Sequence, residues 1–288
     1  MRGPDTIGVA NGCSAVPSAA LEYRGRPVEF VPLTLERHGR KALRPPADYS
    51  FAAGVSVVPI SSIEFARAGS SMPLAFVERA GKFHAVAVMS PVAGRNFFVG
   101  PKGQWLGRHI PALLSVRPFG LVRRNSGSEE WMLCLDEQSG SVVEAGEGEP
   151  FFEADGALVP KVKVVLEFLR AFEQGRLQLD TAVAALGQAG LICPWQVEVK
   201  LAEGEVKPVP LYRIDEVALN KVSDQALIAL RRAGALAVGY GQLFSMAQFE
   251  VLQRLVGLQM EMARNALGEG GRSGGAFNLP DEGSLHFG

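Results

Sequence analysis

The hydrophobic pattern changes type about halfway along the chain, and this change constrains the fold more than any other feature. From Glu29 to Gly140, short β-branched and apolar runs alternate with turn residues, which is typical of strands joined by tight turns. From Val162 onward, apolar residues recur at helical spacing. The sequence therefore predicts an α+β fold: an N-terminal, mostly antiparallel β-rich region with short helices, followed by a helical region carrying one β-hairpin.

The same pattern divides the 288 residues into four stretches. Residues 1–27 are predicted to be an irregular N-terminal extension rich in Gly, Ala, Ser and Pro. Residues 28–145 form the β-rich part, and residues 146–267 form a mainly helical part packed on it, so that 28–267 make one domain. Residues 268–288 begin with GEGGRSGG, which predicts a flexible tail.

Turn residues and periodicity place the individual elements. Ala80-Gly81 separates two β-type runs, Leu74–Val77 and Phe83–Met89, as in a hairpin. A Gly-Pro-Lys-Gly turn between Asn96–Val99 and Gln104–Leu106 indicates a second hairpin. The later predictions are an apolar helical stripe at 162–172, a helix at 179–188 that stops at Gly190, hairpin strands at 196–201 and 206–212, and a long helix at 244–267.

Charge and composition disfavour several classes of function. Lys and Arg total 29 against 30 Asp and Glu, whereas a nucleic-acid-binding protein usually carries a basic excess. No stretch approaches the ~20 apolar residues that span a bilayer, and the N-terminus lacks the apolar core of a signal peptide. Cys13, Cys134 and Cys193 form no CxxC motif, which favours free thiols in a reducing compartment. We therefore expect a cytoplasmic protein without a membrane span or nucleic-acid partner.

The histidines do not form a metal-binding pattern. A non-haem iron site needs two His and a carboxylate, commonly with a close His-x-Asp or His-x-Glu pair, and none of the four histidines has one. The phosphate-binding loop pattern Gly-x-x-x-x-Gly-Lys-Ser/Thr is also missing from the sequence. We predict no metal and no cofactor. His84 and His109, which only the fold could bring together, remain candidate ligand-binding residues.

Glu64 is a further candidate because it stands between the apolar residues Ile63 and Phe65. Ser61 or Ser62 is expected to cap a short helix there, with Glu64 in its first turn, where a negative charge is favourable. A buried, unpaired carboxylate would have a raised pKa or would need a partner. Arg67, three residues later, is the nearest candidate partner.

The segment Tyr212-Arg213-Ile214-Asp215-Glu216 is the most polar of the ordered motifs. One interpretation places Arg213 and Glu216 in a pocket for a polar ligand or peptide, with Tyr212 and Asp215 beside them. The other is structural: Tyr212 ends a strand, Asp215 caps a helix and Arg213 pairs with a carboxylate. We favour the structural interpretation and keep all four residues as candidates.

Many short motifs, occurring in one order over roughly residues 30–260, resemble the bacterial SapC family. They are Tyr49–Ala53, Val57–Ile60, Glu64-Phe65, Asn96–Val99, Gly103–Trp105, Ile110–Ala112, Arg117–Phe119, Leu133–Asp136, Gly148–Phe151, Pro194-Trp195, Leu211–Glu216, Leu230–Leu236 and Gln242-Leu243. The resemblance supplies no catalytic residues. Members are often labelled peptide-transport or surface-layer proteins, and they tend to be encoded near TonB-dependent receptors, halogenase-like flavoproteins and cupin-like oxygenases.

Three functions follow from this resemblance. The leading hypothesis is a non-catalytic cytoplasmic accessory or interaction protein, associated with outer-membrane nutrient or peptide uptake and binding a protein partner. The alternative is an enzyme, or an obligate enzyme partner, in oxidative (halogenase- or oxygenase-linked) modification of peptides or aromatic substrates. A weaker alternative is a surface-layer or peptide-transport component. Whether the chain forms a homo-oligomer stays open.

Overall fold

The computed structural model describes residues 22–23, 26–124, 130–197 and 207–266. Most of the predicted N-terminal extension and the whole predicted tail lie outside the described residues. Within the extension, strand β1 (Glu22–Tyr23) pairs with β2 (Arg26–Pro27) in a short antiparallel ladder. The remaining described residues contain both predicted regions, so the α+β prediction is confirmed.

The strands pair antiparallel in small sheets. The further strands are β3 (Val31–Pro32), β4 (Lys41–Leu43), β5 (Val57–Pro59), β6 (Leu74–Arg79), β7 (Lys82–Val88), β8 (Phe119–Arg123), β9 (Trp131–Leu135), β10 (Val142–Glu144), β11 (Glu149–Pro150), β12 (Ile192–Trp195) and β13 (Leu211–Ile214). The largest sheet has the order β12-β13-β6-β7-β5, and its neighbours have the orders β10-β4-β11 and β3-β9-β8. Strands from late in the sequence thus extend a sheet built from early ones.

The predicted hairpin at residues 74–89 is confirmed and forms the centre of the largest sheet. Strands β6 and β7 pair from Leu74↔Ala87 to Arg79↔Lys82. Ala80 and Gly81 at the turn both have positive φ, 48° and 72°. Two consecutive residues in this region match the twist of the flanking strands, which is why such turns are favoured in two-residue hairpins.

The second predicted hairpin is confirmed only in part: Val99 and Trp105 pair antiparallel across the Gly-Pro-Lys-Gly turn, but this single bridge does not extend into two strands. The Asn96 side chain accepts a hydrogen bond from the Phe98 amide at 2.9 Å, and its own amide group donates to Ala52. An Asn side chain that bonds the backbone two residues ahead folds the chain into a turn. This turn prevents the segment from extending as a strand.

The helices follow the predicted order, with differences in length. They are α1 (Leu35–His38), α2 (Phe65–Gly69), α3 (Ala112–Ser115), α4 (Pro160–Gln188), α5 (Glu216–Leu219), α6 (Asp224–Arg232), α7 (Ala235–Ser245) and α8 (Phe249–Ala266). No helix among the described residues is both long enough and apolar enough to cross a membrane.

The prediction of two separate helices at 162–172 and 179–188 is wrong, since α4 is one helix of 29 residues. The apolar stripe continues through both halves, with Phe172 and Val183 fully buried. Gly175 lies within the helix where a loop packs directly against it, and a Cβ there would lie 2.3 Å from the Ser61 Oγ. The helix ends as predicted, and Gly190 follows it with φ of 69°.

Two other boundaries also differ from prediction. The predicted helix at 244–267 is divided: α7 ends at Ser245, a 3₁₀ turn follows, and α8 begins at Phe249. The Ser245 hydroxyl donates back to the Gln242 carbonyl, a bond that bends helices. Strands were predicted at 196–201 and 206–212. The structure instead has β12 at Ile192–Trp195 and β13 at Leu211–Ile214, which pair antiparallel, and residues 198–206 lie outside the described residues.

Helix α4 packs on two hydrophobic cores. Its second half covers the larger core, whose fully buried side chains include Phe76, Val86, Val183 and Phe249. Its first half covers a smaller core beneath β8 and β9, which includes Leu135, Phe151 and Leu169. Each fully buried side chain of this size stabilises the fold by about 1.5–3 kcal/mol. Helix α4 is therefore held along its whole length, which makes it a firm support for polar side chains at its edge.

Candidate functional site

Glu64 and His109, 45 residues apart in sequence, meet inside the protein, and we call them the buried pair. The Glu64 Oε2 lies 3.0 Å from the His109 Nε2 and accepts a hydrogen bond from the Ala112 amide at 2.9 Å. The Trp105 indole donates to the His109 carbonyl at 2.9 Å, which fixes the loop carrying the histidine. Glu64 therefore links the start of α2 to the start of α3. Its partner is His109 and not Arg67, as the sequence had suggested.

The expected cap of α2 is also corrected by this geometry. The Ser61 hydroxyl is fully buried and donates to the Phe172 carbonyl of α4 at 2.8 Å. Helix α2 begins later, at Phe65, and Glu64 occupies the cap position without bonding the helix through its side chain. The Glu64 carboxylate thus does not cap its own helix, α2, and instead accepts a hydrogen bond from the first residue of α3.

Burial dominates the electrostatics of Glu64. Its side chain is 7% exposed, and this desolvation raises the pKa of Glu64 above its usual range. The Ala112 amide and His109 oppose the rise, because both favour the ionised form, and the Ser61 backbone acts in the same direction. The other carboxylate oxygen, Oε1, is buried and has no hydrogen-bond partner within 3.5 Å among the described residues. The buried pair is an enclosed structural link with one unsatisfied oxygen.

His84 makes a second histidine–carboxylate contact, with Asp180, and we call these two residues the open pair. The His84 Nδ1 lies 2.9 Å from the Asp180 Oδ1, and the two side chains are 32% and 25% exposed. The other Asp180 oxygen accepts from Arg176 Nη1 at 2.6 Å, and Arg176 Nε donates to Glu173 at 2.9 Å. Helix α4 thus supplies a row of alternating charges, Glu173, Arg176 and Asp180, which ends at the imidazole of His84 on β7.

The tautomer of His84 follows from its partner. An ionised carboxylate can only accept hydrogen bonds, so the His84 Nδ1 carries the proton in this contact. The Nε2 is then left to face away from Asp180, as an acceptor when the ring is neutral and as a donor when it is protonated. This nitrogen is the chemically available atom of the open pair.

Both pairs lie inside the region that a family comparison identifies. A family model described as SapC matches residues 33–252, which is more than half of the chain. This chain belongs to the SapC family. No curated protein and no solved structure matches it. The SapC match covers the two pairs without giving either of them a role.

The polar motif at 212–216 of this SapC protein is used for local structure. The Asp215 Oδ1 accepts the Ala218 amide at 2.9 Å and caps α5, whose first turn contains Glu216. Tyr212 contacts Phe83 edge to face at 5.0 Å, and its hydroxyl donates to Glu78 at 3.1 Å. Arg213 donates to the neighbouring Ile214 carbonyl at 3.2 Å. The structure does not bring these residues to the buried pair or the open pair.

The charged residues of α4 are the part of the candidate site that the sequence did not reveal. Glu173, Arg176 and Asp180 follow each other at three- and four-residue spacing, which is the spacing of ion pairs on a helix. That signal indicates a charge network but not its distant partner His84. Among the described residues, no three metal-ligating side chains come together.

Proposed function

We propose that this SapC-family chain is a cytoplasmic accessory protein that works by binding a protein partner. The observation that carries the proposal is an exposed aromatic pair on α7. Phe244 is 77% exposed and Tyr240 is 40% exposed. Their rings lie 6.4 Å apart and 26° from parallel. Two stacked aromatic side chains on one helical face form a rigid apolar surface that loses little conformational freedom when a partner covers it.

The neighbouring helix adds apolar surface of the same kind. Helix α6 packs against α7 and exposes Leu227 (41%) and Ile228 (51%). Single exposed apolar residues are normal in soluble proteins, whereas groups of them mark interaction sites. Aromatic residues are also enriched at protein interfaces. This combination supports a protein surface as the occupant, in preference to a small polar ligand.

The opposite side of α7 explains why the aromatic pair cannot turn inward. Gln242 is buried there, where it accepts from the Ile214 amide at 2.9 Å and donates to the Leu74 carbonyl at 3.1 Å. These bonds join α7 to β13 and β6 and fix the rotation of the helix. Phe244 is therefore held on the exposed side by the fold. We place the partner in outer-membrane nutrient or peptide uptake, the setting that the family resemblance implies.

Site-specific photocrosslinking tests the proposal. The photoreactive residue p-benzoylphenylalanine replaces Phe244 in cells that contain the native partners. We expect a discrete adduct with one protein, which Tyr240→Ser in the same chain removes. The control places the same residue at Val164, which is 68% exposed on α4. Equal adducts at both positions, or an adduct that Tyr240→Ser leaves unchanged, would contradict the proposal. An adduct of twice the chain mass would mean that the partner is a second copy of this chain.

The enzyme alternative depends on a different part of the molecule. It requires titratable groups that converge on a cavity able to hold a ligand. The open pair lines a small cavity between the β6–β7 hairpin and α4. Ligand binding at His84 is therefore the first property that an enzymatic role would need.

A further inference from the structure

A small cavity lies where the β6–β7 hairpin meets α4. The space within it, including its opening to solvent, is about 370 Å³, and Arg79, His84, Arg176 and Asp180 contribute its polar lining. Pro59 and Val77 contribute apolar wall. The enclosed part has room for only a few water-sized groups, so a ligand that fits it is small. The cavity combines an apolar wall with charged side chains, which suits an amphipathic small molecule.

The charges around this cavity favour an anion. Residues paired across a hairpin share one face of the sheet, and the register Arg79↔Lys82 and Val77↔His84 places both cations on the face that carries His84. Neither Arg79 nor Lys82 forms an ion pair with another described residue. On α4, Arg176 is already matched by two carboxylates, those of Glu173 and Asp180. Arg79 and Lys82 on the hairpin are therefore the cations near this cavity that no carboxylate of the described residues pairs with.

His84 can complete an anion site because Asp180 fixes its ring. The Nδ1–Asp180 bond of 2.9 Å uses one nitrogen and leaves Nε2 for a ligand. A carboxylate accepts a hydrogen bond from Nε2 when both ring nitrogens carry protons, so that Nδ1 donates to Asp180 and Nε2 donates to the ligand. Hydrogen bonds between ionised groups are stronger than neutral ones and fix the orientation of the ligand.

We propose that this cavity binds a small organic carboxylate. The carboxylate group contacts His84 Nε2 and the Arg79 guanidinium, and the aliphatic part of the ligand lies against Pro59 and Val77. Asp180 and Arg176 act as positioning residues, since they hold the imidazole and leave its outer nitrogen free. The site is separate from the aromatic pair on α7, so its existence does not depend on the proposed protein partner.

Titration of the isotope-labelled full chain with propionate, followed by NMR, tests this site. Propionamide is the matched control, because it has the same shape without the charge. We expect propionate to shift the His84 ring signals and nearby backbone amides, and propionamide to leave them in place. Inorganic phosphate, which has the charge without the aliphatic part, is expected to bind more weakly. Phosphate that binds more tightly than propionate would overturn the carboxylate assignment.

Variants locate the binding within the cavity. Arg79→Gln and His84→Gln should each weaken propionate binding by about tenfold, the loss typical of a hydrogen bond to a charged group. Arg124→Gln is the control, because Arg124 is an exposed arginine paired with Glu130 elsewhere on the surface. If Arg79→Gln binds propionate as well as Arg124→Gln does, the proposed site is wrong, even if His84→Gln fails to fold.

Discussion

The buried pair and the open pair contain the same two chemical groups at almost the same distance, 3.0 Å and 2.9 Å, yet they differ in their surroundings. The side chains of the buried pair are 7% and 11% exposed, and those of the open pair are 25% and 32% exposed. The Glu64 carboxylate also bonds a backbone amide of α3, whereas Asp180 bonds the side chain of Arg176. The first pair joins elements of the fold, and the second leaves a partly exposed imidazole beside a cavity.

This difference shows that burial, more than pair geometry, decides what a histidine–carboxylate contact can do. Removing one partner from an enclosed pair leaves polar groups without water, which is strongly destabilising. Removing one partner from a half-exposed pair allows water to take its place. The buried pair should therefore contribute mainly to stability, and the open pair mainly to binding.

Glu64→Ala should have the largest effect on stability. It leaves the buried Ala112 amide and His109 without their common acceptor, so we expect the free energy of unfolding to fall by about 3 kcal/mol. Chemical denaturation measures this loss. The matched control is Glu167→Ala, which removes an exposed carboxylate paired with Arg170 and should change the stability by less than about 0.5 kcal/mol.

Asp180→Ala should have a smaller effect, about 1 kcal/mol, because water can reach His84 and because Arg176 keeps its bond to Glu173. The same variant should weaken propionate binding, since the imidazole loses the group that orients it. Denaturation and NMR titration of one protein sample check both expectations. If Asp180→Ala destabilised the fold as much as Glu64→Ala, the contrast between the two pairs would not hold.

The sequence predicted the parts of the fold that local chemistry determines. Ala80-Gly81 indicated the β6–β7 hairpin because a short loop containing glycine between two β-type runs is typical of a tight turn. The prediction of two separate helices was wrong around Gly175. One helix continues through this residue, although glycine weakens helices, and the Ser61 loop packs against it there. At Asn96 the sequence predicted too long a strand, since the Asn96 side chain accepts a hydrogen bond from the Phe98 amide and turns the chain just before the Val99↔Trp105 bridge.

The candidate site was less accessible to sequence reasoning, because both pairs are long-range contacts. Glu64, His84 and His109 were candidates, but Arg67 stood closer in sequence to Glu64 than His109 did. Asp180 lies 96 residues from His84 and reads as an ordinary polar position of an amphipathic helix. Only the packing of α4 against the hairpin brings it to the imidazole. Sequence patterns indicate which side chains need a partner, and the tertiary fold decides which partner each receives.

The smallest expected effect lies in the pH dependence of stability, which should distinguish the buried Glu64 from an ion-paired carboxylate nearer the surface. Burial raises the pKa of Glu64, so the folded chain holds this proton more tightly than the unfolded chain does. Its contribution to stability is complete below the ordinary glutamate pKa, about 4.3, and is lost as the pH rises through the raised value. In Glu64→Gln the side chain stays neutral and keeps an acceptor for Ala112. The variant should therefore gain stability relative to the native chain as the pH rises.

Glu137 provides a control of opposite sign. The Arg37 hydrogen bond holds the pKa of Glu137 below its usual range, so this residue stabilises the fold above the ordinary glutamate pKa and loses that effect as the pH falls. Glu137→Gln should therefore lose stability relative to the native chain as the pH rises. Denaturation curves for both variants between about pH 3 and pH 8 measure the two slopes. Slopes of the same sign would mean that desolvation does not dominate at Glu64 and that its bonds to Ala112 and His109 outweigh burial.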